Sequence, residues 1–209
     1  MARRSCWCCA TGRSSSSRSA RSNRSVPIER EIKLRFDSAE AAREQILALG
    51  ATPLLGRRLQ EDCLFDTDDE RLRRQRSTLR VRSEGGKALL TWKGPVIAAA
   101  IKIREEYETV VSDGAALQTI LEEIGLHVWF RYEKYREEFN GDDVVIAVDE
   151  TPVGVFVEIE GTEDAIHRTA AALGKSAADY ITDSYRIIFL QHRDATGLAG
   201  HDMVFAGRE

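Results

Sequence analysis

The stretch Glu29–Lys33 reads EREIK, and its counterpart near the other end of the chain, Phe156–Glu160, reads FVEIE; together they decide the fold. Successive side chains of a β-strand point to opposite faces, so residues two apart share a face. Charged side chains therefore share one face in both stretches. An ordinary half-buried strand would place its charges in solvent and its valines and isoleucines inside.

The same alternation recurs elsewhere in the chain and carries both signs of charge. It is found at Arg80/Arg82, at Lys102/Arg104/Glu106/Glu108 and at Lys134/Arg136/Glu138. A sheet closed around these faces would enclose a charged chamber, which suits an anion together with a metal cation.

The composition is that of a globular protein with one large domain. The chain has 209 residues, of which 43% are hydrophobic and 31% are charged. No apolar run approaches the roughly 18 residues of a membrane span, so no membrane association is expected. Residues 1–25 hold six arginines and no acid, and the remainder has 24 basic and 34 acidic residues, a net charge of −10. This acidic balance argues against a nonspecific nucleic-acid binder.

The N-terminal segment, residues 1–25, is rich in arginine and serine and is predicted to be a disordered tail. A targeting segment and a misassigned start codon are alternatives that stay open. Cys6, Cys8 and Cys9 crowd this tail and Cys63 stands alone, so neither a zinc site nor a disulfide framework is indicated. Cysteine usage of this kind fits a reducing, cytoplasmic location.

The pattern of elements predicts an α+β protein whose strands form a closed antiparallel eight-stranded β-barrel with the helices packed outside. Most strands are joined by hairpin signals, and about eight strands can close around a small ligand. The strands are expected at 27–36, 57–66, 79–83, 88–93, 101–111, 128–139, 144–148 and 155–160. The helices are expected at 38–49, 113–124, 162–173 and 177–191. The domain should span residues 26–192, with a frayed C-terminal tail at 193–209.

Several motifs in this order resemble the CYTH family, the triphosphate tunnel metalloenzymes, over about residues 27–190. The motifs are Glu29-x-Glu31-x-Lys33, Leu79–Arg82, Thr91–Pro95, Arg104–Glu108, Glu133–Arg136, Asp149, Gly154–Glu160 and Ser184–Arg186. The resemblance implies a closed antiparallel tunnel, a divalent metal ion and a triphosphate-bearing substrate. The Ser184–Arg186 ending favours the class IV adenylyl cyclase-like branch.

The charged residues divide into two sets by chemistry. Arginine offers paired donors to phosphate oxygens and lysine a compact charge, so the basic set would bind the substrate. This set is Lys33, Arg80, Arg82, Lys93, Arg104, Lys134 and Arg136. Carboxylates supply hard oxygen ligands suited to Mg²⁺ or Mn²⁺. This set is Glu29, Glu31, Glu106, Glu108, Asp149, Glu158 and Glu160. We expect Lys33 and Glu31 to be catalytic, with Lys33 orienting or deprotonating the attacking group.

Two reactions fit the same residues. If the 3′-hydroxyl of ATP attacks its own α-phosphate, the products are cyclic AMP and pyrophosphate. If water attacks, the protein is a triphosphatase acting on inorganic tripolyphosphate, thiamine triphosphate or a nucleoside triphosphate. A noncatalytic sensor of triphosphate or polyphosphate is a third reading. The expected partner is a triphosphate-bearing small molecule, and a homodimer stays open.

A few residues have two interpretations at this stage. Lys102 and Glu138 share the inward phase but lie near strand ends, so they fit either the rim or the lining. Tyr185 fits the tunnel or the core. Trp129 is expected on the barrel exterior, and Glu133, on the opposite phase, is expected at the surface.

Overall fold

A computed structural model describes residues 26–97 and 99–207, in which eight strands close into one antiparallel barrel. The order around the barrel is β1-β5-β4-β3-β2-β6-β7-β8. The strands are β1 Ile28–Phe36, β2 Thr52–Asp66, β3 Thr78–Glu84, β4 Lys87–Lys93, β5 Lys102–Val111, β6 His127–Asn140, β7 Val144–Thr151 and β8 Gly154–Gly161. The fold class predicted from the sequence is confirmed. The predicted tail 1–25 lies outside the described residues.

Five α-helices lie outside the strands. They are α1 Ala39–Ala48, α2 Arg71–Arg74, α3 Gly114–Glu123, α4 Glu163–Ala172 and α5 Tyr185–Thr196. Four of them begin at a side-chain cap, in which a hydroxyl or carboxylate accepts a backbone N–H of the first turn. These caps are Ser38, Asp113, Thr162 and Ser184. Among the described residues, no helix has the length and apolar content that a membrane crossing requires.

The apolar core lies between the outer face of the barrel and these helices. Ile32 and Leu34 point outward from β1 and are fully buried against Ala42 and Ile46 of α1 and Ile166 of α4. The helices thus cover the apolar phase of the strands. The charged phase is left to face the barrel interior, where water and ligands can reach it.

The predicted helix 177–191 is wrong in its first half. A short 3₁₀ turn, Ala177–Asp179, is followed by extended chain, and α5 begins only at Tyr185. The reason is tertiary: Ile181 pairs with the edge of β1 through two backbone hydrogen bonds to Lys33, of 3.0 and 2.9 Å. This pairing holds residue 181 extended, so the helix can start only after it.

The prediction of a frayed tail from residue 193 is also wrong for the residues described. Helix α5 continues to Thr196, and Met203 is fully buried against β6. The Met203 N–H donates to the Arg131 carbonyl at 3.0 Å, and the N–H of Glu133 donates to the Met203 carbonyl at 2.9 Å. Glu133, expected at the surface, is buried and accepts the backbone N–H of Phe205 at 3.1 Å. This segment is too short and irregular for periodicity to reveal it.

Candidate active site

The barrel interior encloses a cavity of about 790 Å³ whose wall is charged. Thirteen of the fourteen residues that the sequence singles out line this cavity. They are Glu29, Glu31, Lys33, Arg80, Arg82, Lys93, Arg104, Glu106, Glu108, Lys134, Arg136, Glu158 and Glu160. Strands distant in sequence are therefore combined in one charged chamber.

Lys33 lies between two glutamates on adjacent strands. Its Nζ is 3.1 Å from Glu31 Oε1 and 3.2 Å from Glu158 Oε1, and all three side chains are largely buried. Burial lowers the pKa of Lys33, but the charges of Glu158 and Glu31 outweigh burial and leave the pKa raised. A raised pKa favours the charged form of Lys33 in this arrangement. This suits a group that orients or stabilises a reacting group better than one that accepts a proton.

Lys102 also lines the cavity, which resolves the choice between rim and interior. It is buried, and its Nζ donates to Glu31 Oε1 at 2.6 Å. Burial, together with Lys33 and Arg104, lowers the pKa of Lys102 to about 8. Glu138 lines the cavity as well and accepts from Arg58 at 2.7 Å.

Asp149 occupies a different position from the one predicted. It does not line the cavity but is fully buried behind the wall, where its carboxylate accepts hydrogen bonds from three side chains. Lys134 donates at 2.7 Å, Arg136 at 2.7 and 2.6 Å, and the Tyr185 hydroxyl at 2.5 Å. These donors occupy both carboxylate oxygens. Asp149 thus fixes two cations of the cavity wall, and the Tyr185 ring, which is part of the lining, lies beneath Lys134 Nζ at 4.9 Å.

Asp62 is a site residue that the sequence reasoning missed. It is almost fully buried and accepts both hydrogen bonds of a paired interaction with Arg82, at 2.9 and 3.1 Å. The same carboxylate lies 3.4 Å from Arg80. Its inward phase in β2, two residues from Gln60 and Leu64, could have indicated it.

A second group of carboxylates lies around Glu29. The two carboxylate oxygens of Glu29 accept hydrogen bonds from Lys93 Nζ at 2.7 Å and from Arg104 Nε at 2.8 Å. Lys93 Nζ also lies 2.8 Å from a carboxylate oxygen of Glu106. Burial and the negative charge of Glu31 act to raise the pKa of Glu29. The positive charges of Lys93 and Arg104 outweigh both, and the pKa of Glu29 is lowered to about 2. This carboxylate is therefore ionised at any physiological pH.

Glu160 behaves in the opposite way. Its side chain is exposed, but desolvation by the surrounding wall and the negative charges of Glu29, Glu31 and Glu106 raise its pKa to about 7. Four carboxylates thus lie close enough to repel one another, and the basic residues nearby do not fully balance the charge at Glu160. A cation placed among them would remove this repulsion.

The donor chemistry of this group fits a divalent metal ion, although its geometry is not that of a finished metal site. Carboxylate oxygens are the ligands that Mg²⁺ and Mn²⁺ prefer. In the part of the chain that the structure describes, no three His, Cys, Asp or Glu residues are already arranged as a metal-ligand cluster. Lys93 and Arg104 hold the oxygens of Glu29, so an ion would have to compete with these pairs.

Comparison with known proteins identifies one family and several similar structures. The model of the CYTH domain family matches residues 27–185. A Methanocaldococcus jannaschii protein named "Putative adenylate cyclase" is 32% identical over 134 residues, which are 64% of this chain and 76% of that protein. A Vibrio parahaemolyticus structure described as a "putative adenylate cyclase" has a TM-score of 0.71 at 22% identity, covering 79% of this chain and 99% of that one.

A third similar structure comes from Hippeastrum. It has a TM-score of 0.61 at 20% identity and covers 78% of this chain and 95% of that one. That protein is described as a "putative adenylyl cyclase" with a dominant triphosphatase activity. At this level of identity, the likeness to the Hippeastrum and Vibrio structures concerns the fold.

Proposed function

The chain belongs to the CYTH family, and on that premise we propose that it is a divalent-metal-dependent enzyme that converts ATP to cyclic AMP and pyrophosphate inside the barrel. The observation that carries this proposal is the cavity itself. Buried cations from five strands converge on one enclosed space, together with enough carboxylates to hold a metal ion.

The cations supply what a buried triphosphate requires. Such a group carries about four negative charges, and burial without compensation would be prohibitively costly. Arg80, Arg82 and Arg136 offer planar guanidinium groups that bind two phosphate oxygens at once, and Lys134 adds a compact charge. Asp62 and Asp149 hold these cations in place from behind, so little reorganisation is needed when the substrate enters.

The carboxylates around Glu29 would hold the metal ion once a substrate is bound. Phosphate oxygens compete with Glu29 for Lys93 and Arg104, and each ion pair that exchanges frees a carboxylate oxygen. Glu29, Glu31, Glu106 and Glu160 are then the candidate ligands. A bound divalent ion would neutralise charge that develops on the phosphate oxygens.

The reaction needs a group that accepts the proton of the attacking hydroxyl. Lys33 is unsuited because Glu158 and Glu31 keep its pKa raised. Lys102 is better suited, since its pKa of about 8 leaves a fraction of the amine uncharged near neutral pH. We therefore assign Lys102 the role of base and Lys33 that of a fixed positive charge. Glu31 contacts both lysines and positions them.

A triphosphatase is the second candidate, because the same clamp serves when water is the nucleophile. The dominant triphosphatase activity described for the Hippeastrum protein supports the idea that this fold accommodates hydrolysis. The two activities differ in which nucleophile lies in line with the scissile bond, not in the charges that bind the phosphates. A noncatalytic sensor is less well supported, since the carboxylates that a metal ion would need are present.

The test is to incubate the protein with ATP, thiamine triphosphate or inorganic tripolyphosphate, with Mg²⁺ or Mn²⁺, and to separate the products. Cyclic AMP from ATP is the expected result, and orthophosphate from tripolyphosphate would select the triphosphatase instead. Arg57→Gln, a change on the barrel exterior, should leave turnover unchanged, whereas Arg82→Gln should abolish it. Binding of all three compounds without turnover would contradict both enzymatic readings.

A further inference from the structure

A β-bulge in β6 turns Trp129 towards the cavity at the end of the barrel where α5 begins. Leu64 of β2 lies opposite Phe130 of β6, but the next residue of β2, Phe65, lies opposite Val128. Trp129 is therefore the extra residue between two pairs, and a bulge of this kind re-aims a side chain. The sequence places this indole on the barrel exterior, whereas in the structure it lines the cavity together with residues from the start of α5.

Two arginines cover the Trp129 indole. The Cζ atom of Arg73 lies 4.3 Å from the ring centre, and that of Arg186 lies 4.7 Å from it. Both arginines line the cavity, Arg73 from α2 and Arg186 from α5. Indole rings and guanidinium planes are flat surfaces on which nucleobases stack in proteins. We call Arg73, Trp129 and Arg186 the stacking cluster, since its chemistry suits a flat aromatic group of a ligand.

The two arginines of the stacking cluster differ in how their donors are used. Arg73 pairs with Asp66 at 3.0 Å and with Glu70 at 3.1 Å, so its charge is already balanced. Arg186 forms no ion pair with any residue that the structure describes, and its buried Nε atom reaches no hydrogen-bond acceptor there. A buried donor without an acceptor costs free energy. The edge of a purine carries ring nitrogens that would accept this hydrogen bond.

A carboxylate on the same wall favours a nucleobase over a phosphate as the ligand group. Asp183 lines the cavity three residues before Arg186. One of its oxygens accepts a hydrogen bond from Gln191 at 3.2 Å, and the other accepts none from residues 26–97 or 99–207. A carboxylate repels a phosphate at close range, but it accepts a hydrogen bond from the exocyclic amine of adenine. The wall thus combines a stacking surface, one donor and one acceptor, which complements an adenine edge.

The position of the stacking cluster agrees with the role assigned to Lys102 as the general base. Lys102 is the first residue of β5 and lies opposite Glu31 on β1. Ile181, four residues before α5, pairs with Lys33, two residues further along β1. The stacking cluster and Lys102 thus lie towards the same end of the barrel, and Glu29 lies towards the other. A nucleoside held at this end would present its ribose hydroxyls towards Lys102 and its phosphates towards Glu29.

We propose that the stacking cluster, together with Asp183, binds the adenine base of the substrate and makes the protein prefer ATP to bare tripolyphosphate. The adenine ring packs against Trp129, the Nε atom of Arg186 donates to a ring nitrogen, and Asp183 accepts from the amine. This inference rests on the proposed function, because the phosphates must occupy the barrel interior for the base to reach this end. It adds to that function the residues that select the nucleoside part of the substrate.

A purely structural role accounts for only part of this arrangement. The contacts of Arg73 and Arg186 with Trp129 attach α2 and α5 to β6, which stabilises this end of the barrel. That role requires neither the unpaired Nε of Arg186 nor the carboxylate of Asp183 beside it. A ligand group that both accepts and donates hydrogen bonds accounts for both.

The experiment measures the affinities of ATP and tripolyphosphate by calorimetry at constant ionic strength and without metal ions, so that no turnover occurs. Trp129→Leu should weaken ATP binding about tenfold, as expected for the loss of one stacking contact, and should bind tripolyphosphate as the wild type does. Asp183→Ala keeps the indole and its two arginines, and it should weaken the binding of ATP but not that of tripolyphosphate. An unchanged ATP affinity in either variant, or an equal loss for both ligands, would overturn the proposal.

Tryptophan fluorescence gives a second readout that a merely structural role of Trp129 would not produce. The chain has three tryptophans. A base packed against Trp129 should quench its emission, so ATP should lower the fluorescence and tripolyphosphate should not. Trp129→Phe should lose this ATP-dependent quenching. Trp92→Phe is the matched control and should keep it, because Trp92 packs against Tyr107 with ring centres 5.9 Å apart and is not part of the cavity wall.

The outcomes separate this inference from the proposed function. ATP-dependent quenching that persists in Trp129→Phe would show that the base binds elsewhere and would overturn the proposal. Formation of cyclic AMP by Trp129→Leu with the kcat and KM of the wild type would also overturn it, while leaving the proposed function intact. A wild-type protein that binds neither ATP nor tripolyphosphate would defeat both.

Discussion

Replacing Asp62 by asparagine tests whether the charged wall is held together from behind. The substitution keeps the shape of the side chain but removes the charge that faces Arg82 at 2.9 and 3.1 Å and Arg80 at 3.4 Å. Two buried guanidinium groups would then lose their common counter-charge. Breaking a buried ion pair in this way typically costs about 3–5 kcal/mol. This is a large part of the roughly 5–15 kcal/mol that stabilises a domain.

Urea unfolding followed by circular dichroism measures the effect as a shift of the midpoint at unchanged slope. Glu150→Gln is the matched control, since its pair with Arg57 lies at the surface and should contribute no more than about 1 kcal/mol. Asp62→Asn should therefore be far less stable than Glu150→Gln. Similar free energies of unfolding for the two variants would refute the idea that Asp62 anchors the arginines.

Three further predictions concern protons. Binding of Mg²⁺ at pH 6.5 should release a fraction of a proton, because an ion among the carboxylates would lower the pKa of Glu160 from about 7. Calorimetry in two buffers of different ionisation enthalpy detects this proton release, and Glu160→Gln should abolish it. The free energy of unfolding should fall as the pH drops from about 4.5 towards 2. The pKa of Glu29 is lowered to about 2 in the folded protein and those of Asp62 and Glu158 are lowered as well, so protonation of these groups favours the unfolded chain. Circular dichroism across this pH range checks the prediction, and a flat profile would contradict it. Turnover should rise as the pH passes about 8, where Lys102 loses its proton. Lys102→Met should remove this rising limb of the pH–rate profile and reduce the rate by about 10²- to 10⁴-fold. A variant that keeps the rising limb would exclude Lys102 as the base.

Much of the barrel could be predicted from local pattern. Alternation places Glu29, Glu31 and Lys33 on one face and Ile32 and Leu34 on the other, and the structure has this division. Glycines at tight turns predict which neighbouring strands pair as hairpins. At the turn between β3 and β4, the two consecutive glycines take φ values of 54° and 79°, which suit glycine. Local chemistry was enough because each of these features is decided within a few residues.

The features that were missed depend on contacts between distant segments. Ile181 is extended because it pairs with β1, and Met203 is ordered because it packs on β6; neither partner is visible from the local sequence. Asp149 has the inward phase of a metal ligand, but three donors from other elements occupy it. The raised pKa of Lys33, which disfavours its role as a base, likewise depends on the position of Glu158 on a neighbouring strand.

The central claim is that one closed chamber binds a triphosphate through its basic wall and a metal ion through its carboxylates. A crystal structure with Mn²⁺ and a non-hydrolysable triphosphate analogue tests this most directly, since anomalous scattering locates the ion. We expect the Mn²⁺ signal beside Glu29, Glu31 and Glu160, with phosphate oxygens against Arg82 and Arg136. An analogue bound outside the barrel, or a Mn²⁺ signal away from these glutamates, would contradict the account.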